Sequence, residues 1–134
     1  VARMLEMPDS VTFDVEGIPG PQGSKTYVGN GRMIESSKKV KPWRVAVALA
    51  AKREGVMFDA PVAVTIAFRL YRPQRPKWTR HGTRPDLDKL TRSTMDALTG
   101  AIITDDGLAF HLDVSKRYVE AHETTGALIN ITAW

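Results

Sequence analysis

Two aspartates stand two positions apart in RPDLDKLTRSTMDALTG, residues 84–100, and an arginine follows the second by four. Asp86 and Asp88 supply hard oxygen donors, the kind that magnesium takes together with water and substrate phosphate. On a helix, positions i and i+2 point about 200° apart, whereas on an extended chain they share a face. The two acids can therefore converge on one ion only where the chain is still extended. Pro85 biases Arg84 towards extended geometry and has no N–H to donate, so the pair is expected at a strand or loop end, with Asp88 beginning a helix. Arg92 falls on the helical face of Asp88 and is aimed near the carboxylates. There a guanidinium can clamp a phosphate or offset charge in a transition state. Asp96 continues that face and is expected to orient Arg92.

A further carboxylate is available in TDDG, where Asp105 and Asp106 follow the helix. A short helix running out and a chain turning back are expected to return them near the helix start. Such acids around a divalent cation activate water and stabilise charge on the leaving oxygen of a phosphodiester. Each piece also has a plain structural reading. Aspartate caps free amides at helix starts, Asp-Asp-Gly is an ordinary turn, and Asp88 with Arg92 makes an i,i+4 ion pair. The segment just upstream shifts the balance. RPQRPKWTRHGTRP, residues 72–85, carries Arg72, Arg75, Lys77, Arg80 and Arg84 with His81, three prolines and one glycine. It reads as a long exposed loop suited to an anionic partner. Trp78 either stacks on a base or pins this loop, and a lone aromatic favours pinning.

The elements that must hold these residues are legible in outline. VTFDVEGI alternates Val11, Phe13 and Val15 with polar neighbours and predicts a strand, after a loose tail over residues 1–10. PGPQGSK excludes regular structure, and YVGNGRMI carries a hairpin turn signal. Ser36 or Ser37 is expected to cap a helix with Trp43, Val47, Ala50 and Ala51 on one stripe, ended by Gly55. PVAVTIAFRLY predicts a central strand. Leu87, Leu90, Thr94, Ala97 and Leu98 predict a helix over about 88–99, closed by Gly100. The apolar stretch and turn after it lead into a long alternating strand and a last strand, ALINITAW. Antiparallel pairing of these last two is expected from their short connection at HETTG. The order gives an α+β fold, a single mixed β-sheet with two main helices.

At 134 residues and 43% hydrophobic content the chain fits one domain, residues 11–134, with an adequate core. No apolar run approaches the roughly 18 residues that span a bilayer, and VARMLEMPDS lacks the order of a secretory signal, so an intracellular protein without a membrane partner is expected. The absence of cysteine excludes disulfides and thiolate metal sites. His81, His111 and His122 lack the close pairing of zinc ligands and read as ordinary histidines. A formal charge of +4 suits a polyanionic partner.

PDLDKLTRSTMDALTG followed by TDD resembles the core motif of the RusA-type Holliday junction resolvases, crossover junction endodeoxyribonucleases of bacteria and their phages. GIPGPQGSK and GRMIESSKKVKPWR are similar to the corresponding part of phage-type members, and the resemblance covers roughly residues 11 to 134. It implies a RusA-like fold and a homodimer that binds four-way DNA junctions. It also implies paired nicks that depend on Mg2+, with Mn2+ as a substitute, in recombination and repair in the bacterial cytoplasm. By motif matching, Asp86 and Asp88 take the places of two clustered metal-binding aspartates, and Asp106 that of a third, with Asp105 beside it. Arg92 falls where the best-known members carry a catalytically important lysine; arginine keeps the charge but does not easily give up a proton. Lys89 replaces an asparagine, and Gly107, Leu108 and Ala109 stand where members often have a small residue, glutamine and valine. Gln22, Ser24 and Lys25 match a segment expected near DNA, joined there by Arg75, Lys77, Arg80, Arg84 and Lys89. The alternatives are a catalytically silent nucleic-acid-binding module and a less selective nuclease of flaps or duplex.

Overall fold

Val62, Val64, Ile66, Phe68 and Leu70 are all buried, every second residue of the strand β4, Val62–Leu70. Such alternation buries one face of a sheet, and each of these side chains contributes about 1.5–3 kcal/mol. The computed structural model describes residues 9–23, 25–29, 32–35 and 38–134, with backbone alone for 25–28 and 32–35. Strand β1, Ser10–Glu16, begins one residue before the expected Val11; most of the expected tail, residues 1–8, lies outside the described residues. With β5, Ala109–Tyr118, and β6, Gly126–Ala133, the sheet has the order β1-β6-β4-β5. The ribbon of β2, Lys25–Gly29, and β3, Arg32–Glu35, stands apart from it as the expected antiparallel hairpin.

The expected pairing of the last two strands does not form. β6 inserts between β1 and β4, antiparallel to both, while β5 lies parallel to β4 on its far side. Burial explains the choice. Ala127, Ile129 and Ile131 of β6 are fully buried and suit an inner strand, whereas β5 is mostly exposed and suits an edge. A short connection is compatible with either arrangement, because it can pass over the end of β4.

Helix α1, Val40–Lys52, turns Val40, Trp43, Val47 and Ala51 into the core. Ser36 and Ser37, the expected caps, lie outside the described residues, and the N-cap position belongs to Lys39, which makes no side-chain capping bond. The start at Val40 puts Pro42 in the first turn, where its missing N–H removes no intrahelical bond. Helix α2, Leu87–Leu98, buries Leu90, Ser93, Thr94, Ala97 and Leu98. Trp43 joins the helices to each other and to the sheet. Its indole N–H donates to Thr94 Oγ1 at 3.0 Å, and its ring lies 6.4 Å from that of Phe68. Among the described residues no helix is long and apolar enough to cross a membrane.

Candidate active site

Asp86 is the N-cap of α2, with extended backbone at φ −71 and ψ 138, and its side chain makes no capping bond. The helix begins one residue earlier than expected, so Asp88 already lies in its first turn, exposed. The extended run therefore ends at Asp86. Lys89 Nζ stands 3.6 Å from Asp86 Oδ2. Among the described residues the carboxylate of Asp88 and the guanidinium of Arg92 have no ion-pair or hydrogen-bond partner, so the i,i+4 bridge between them is not formed. Arg92 lies instead against the first loop: a Cβ on Gly23 would stand 3.4 Å from its terminal nitrogen.

That loop is seated on both helices. Ser93 Oγ donates to Gly20 O at 2.5 Å, and the Gln22 N–H donates to Lys89 O at 3.0 Å. Gln22 Nε2 donates to Asp96 Oδ2 at 2.6 Å, and Arg44 donates to Gln22 Oε1 at 3.4 Å. Gly20 is required by close approach, because a Cβ there would fall 2.3 Å from the carbonyl oxygen of Lys39. Asp96, expected to orient Arg92, thus anchors Gln22. Gln22 in turn spends its side-chain amide and backbone N–H within the protein, as a support of the loop. Ser24 and the Lys25 side chain lie outside the described residues.

The basic loop over 72–85 has no regular structure, and Arg72, Arg75, Lys77, Arg80 and Arg84 are exposed along it. Trp78 folds over Gly82, whose Cβ would stand 3.1 Å from the indole, and the Lys77 ammonium lies 5.2 Å from the ring centre. The stronger anchors are two residues that sequence reasoning did not single out for this task. His81 is buried, with its ring 5.0 Å from that of Tyr118. Burial and, after it, the Lys116 charge hold the His81 pKa below its ordinary value. Lys116 Nζ donates to Thr83 O at 2.7 Å and to Pro85 O at 2.9 Å. Burial lowers the Lys116 pKa, and the Asp86 carboxylate opposes that shift. The only signal for either was the alternation of β5, which turns Lys116 and Tyr118 to one side. A cavity of about 650 Å³ lies here, lined by Leu70, Tyr71, His81, Arg84, Asp86 and Lys89 among others.

Asp105 and Asp106 do not return to the start of α2 within the chain. Ile102 and Ile103 donate to Leu98 O, and Thr104 donates to Phe58 O, so the turn is tied to the far end of the helix. In the sheet Ala109 pairs with Val62 at the start of β4, whereas Lys116, whose head reaches Pro85, pairs with Phe68 near its end. Between those two positions the strand rises about 23 Å at roughly 3.3 Å per residue. In accord with this, no three His, Asp or Glu side chains among the described residues are gathered closely enough to hold a metal ion. Asp105 Oδ1 accepts from the Gly107 N–H at 3.0 Å and so shapes the turn. Asp106 is exposed, without a partner for its carboxylate among the described residues.

The family model for endodeoxyribonuclease RusA matches residues 16–131. The chain is also 30% identical over 131 residues to the uncharacterized protein YqaN of Bacillus subtilis (strain 168), covering 84% of this chain and 90% of the relative.

Proposed function

Because the chain belongs to the RusA endodeoxyribonuclease family, we propose that it is a divalent-metal-dependent endonuclease that cuts four-way DNA junctions by paired nicks as a homodimer. The observation that carries this reading is the pair Asp86 and Asp88 at an exposed helix start, Asp88 uncommitted, with Lys89 and Arg92 beside them and the basic loop leading into them. An acid with no structural partner, Asp88, beside a second acid held only by a partly exposed lysine suits phosphodiester chemistry better than plain DNA binding, where both repel phosphate.

Carboxylates exposed to solvent fit a hard cation such as Mg2+ or Mn2+, which takes one or two of them and fills its shell with water and phosphate oxygens. Asp86, still extended at the N-cap, and Asp88, separated from it by the single helical residue Leu87, stand together at the open N-terminal end of α2 rather than on one extended face. From there they would hold the cation. The third donor is Asp106 of a second copy, because within one chain Asp106 lies beyond the other end of α2; Asp105 is the weaker candidate, since its Oδ1 is engaged by Gly107. When bound, the cation supplies an activated water and a Lewis acid at the scissile phosphate. Arg92 clamps that phosphate and offsets developing charge; it stays protonated, so it does not act as the acid. Arg75, Lys77, Arg80 and Arg84 grip backbone phosphates, which makes affinity fall steeply with salt and leaves selectivity to junction shape.

The test compares four-way, flap and linear DNA with Mg2+, using the wild type and Asp88→Asn. Nicking of the four-way substrate alone, lost in Asp88→Asn while binding persists, is expected. Full nicking by Asp88→Asn sinks the assignment, and binding without breaks by the wild type identifies a silent binding module. Mixing Asp88→Asn with Asp106→Asn subunits checks the shared site. Heterodimers regain one intact site and nick one strand, whereas a site built within one chain leaves both sites dead.

A further inference from the structure

We propose that Lys116 is a positioning residue that fixes Asp86 for metal binding, an inference that rests on the function just proposed. Lys116 comes from β5, far from Asp86 in sequence, yet its ammonium binds the carbonyl oxygens of Thr83 at 2.7 Å and Pro85 at 2.9 Å. These carbonyls flank Arg84, and the second belongs to the residue directly before Asp86. One cation thereby holds both sides of the turn from which the first carboxylate of α2 projects. Asp86 has no capping bond of its own to fix it. Its remaining partner is Lys89, at 3.6 Å and partly exposed, which is a weak restraint. On the helix side the Asp86 carbonyl accepts the Leu90 N–H at 3.0 Å, and on the loop side the backbone bonds of Lys116 fix where the Asp86 side chain starts.

Two effects of Lys116 on a bound cation oppose each other, and the sign of the outcome tells them apart. As a positive charge near Asp86, the ammonium repels a divalent ion, so removing it would tighten metal binding. As the clamp on Thr83 and Pro85, it holds a ligand in place, so removing it weakens metal binding. Outer residues that orient metal ligands typically matter by about 10–100-fold in affinity. The clamp is the larger effect here, because both carbonyl bonds are direct and short.

Lys116→Met keeps the apolar stem and removes the donor. Mn2+ binding, followed by the EPR signal of the free ion, is expected to weaken about tenfold or more. Junction binding without metal stays within about twofold, because the cations of the exposed loop carry it. Lys116→Arg, which keeps a charged donor, recovers most of the affinity. Amide exchange at Leu90, whose N–H donates to Asp86 O at 3.0 Å, is faster in metal-free Lys116→Met than in the wild type. Should Lys116→Met fail to fold, Lys116→Gln keeps one donor and is expected to bind Mn2+ with intermediate affinity. Unchanged or tighter Mn2+ binding in the folded variant overturns the role of Lys116. A wild type that binds no Mn2+ overturns the metal site itself, and the two failures are distinct.

Discussion

The side-chain amide of Gln22 donates to Asp96 Oδ2 at 2.6 Å, joining the first loop to α2 across 74 positions of sequence. Because Arg44 also reaches Gln22 Oε1, one glutamine links the loop to both helices. Hydrogen bonds to charged groups contribute about 1.5–3 kcal/mol, less where solvent competes. Gln22→Ala is expected to lower stability in urea unfolding by about 1–2 kcal/mol. It also weakens junction binding, through the loop that leads to Lys25. A double-mutant cycle with Asp96→Ala should return a coupling of about 1 kcal/mol; additive single effects would show that the bond does not form in solution.

Arg92 is exposed and forms no ion pair among the described residues, so its replacement is nearly free for the fold. Arg92→Ala is expected to change stability by less than about 0.5 kcal/mol. Its single-turnover nicking rate falls about 10²–10³-fold, the loss typical of a removed group that stabilises developing charge. Arg92→Lys retains most of the rate, since the charge is kept. A wild-type rate in Arg92→Ala removes the residue from the site.

The buried indole of Trp43 depends on one acceptor, Thr94 Oγ1 at 3.0 Å. Thr94→Val keeps the shape and leaves that N–H unpaired, at a cost of about 1–3 kcal/mol. The thermal midpoint should drop by several degrees, on the scale of about 2–8 °C per kcal/mol. Metal affinity should stay at the wild-type value, which separates this core bond from the site.

His81 makes stability depend on pH. Its folded pKa lies below the ordinary 6.5, through burial first and the Lys116 charge second. The unfolded chain therefore takes up this proton at a higher pH than the folded one. Stability is complete above pH 6.5 and is lost as pH falls through 6.5 towards the lower folded value. The thermal midpoint should fall between about pH 7.5 and 5.5, and His81→Phe, which keeps a ring against Tyr118, should fall less. His111 and His122 are exposed and common to both proteins. An equal decline in the two would assign the effect elsewhere.

How much was legible in the sequence follows the range of the forces involved. The alternation of β1, the stripe of α1 and the limits of α2 between Pro85 and Gly100 are all decided within a few residues, and they stand close to where periodicity put them. The start of α1 was misjudged because serine is a good cap in isolation, whereas Pro42 restricts where the helix can begin. The pairing of β5 and β6 was misjudged because strand order answers to the burial of whole faces, which a short connection does not encode. His81 read as ordinary, and its place against Tyr118 arises only when a loop folds over the end of the sheet.

For the candidate site, the sequence by itself determined the chemistry on offer: oxygen donors at Asp86, Asp88, Asp105 and Asp106, a permanent cation at Arg92, and a basic loop upstream. These are properties of residue types and survive any arrangement of the chain. Tertiary structure decided which of them meet. It left Asp88 and Arg92 uncommitted and gave Asp96 to Gln22. It also brought Lys116 under the turn before Asp86 and carried Asp106 to the other end of α2. The reason is physical. Donor strength and charge belong to side chains, but distances between them are fixed by parallel packing of β5 on β4, and that is set by hydrophobic burial far from the site.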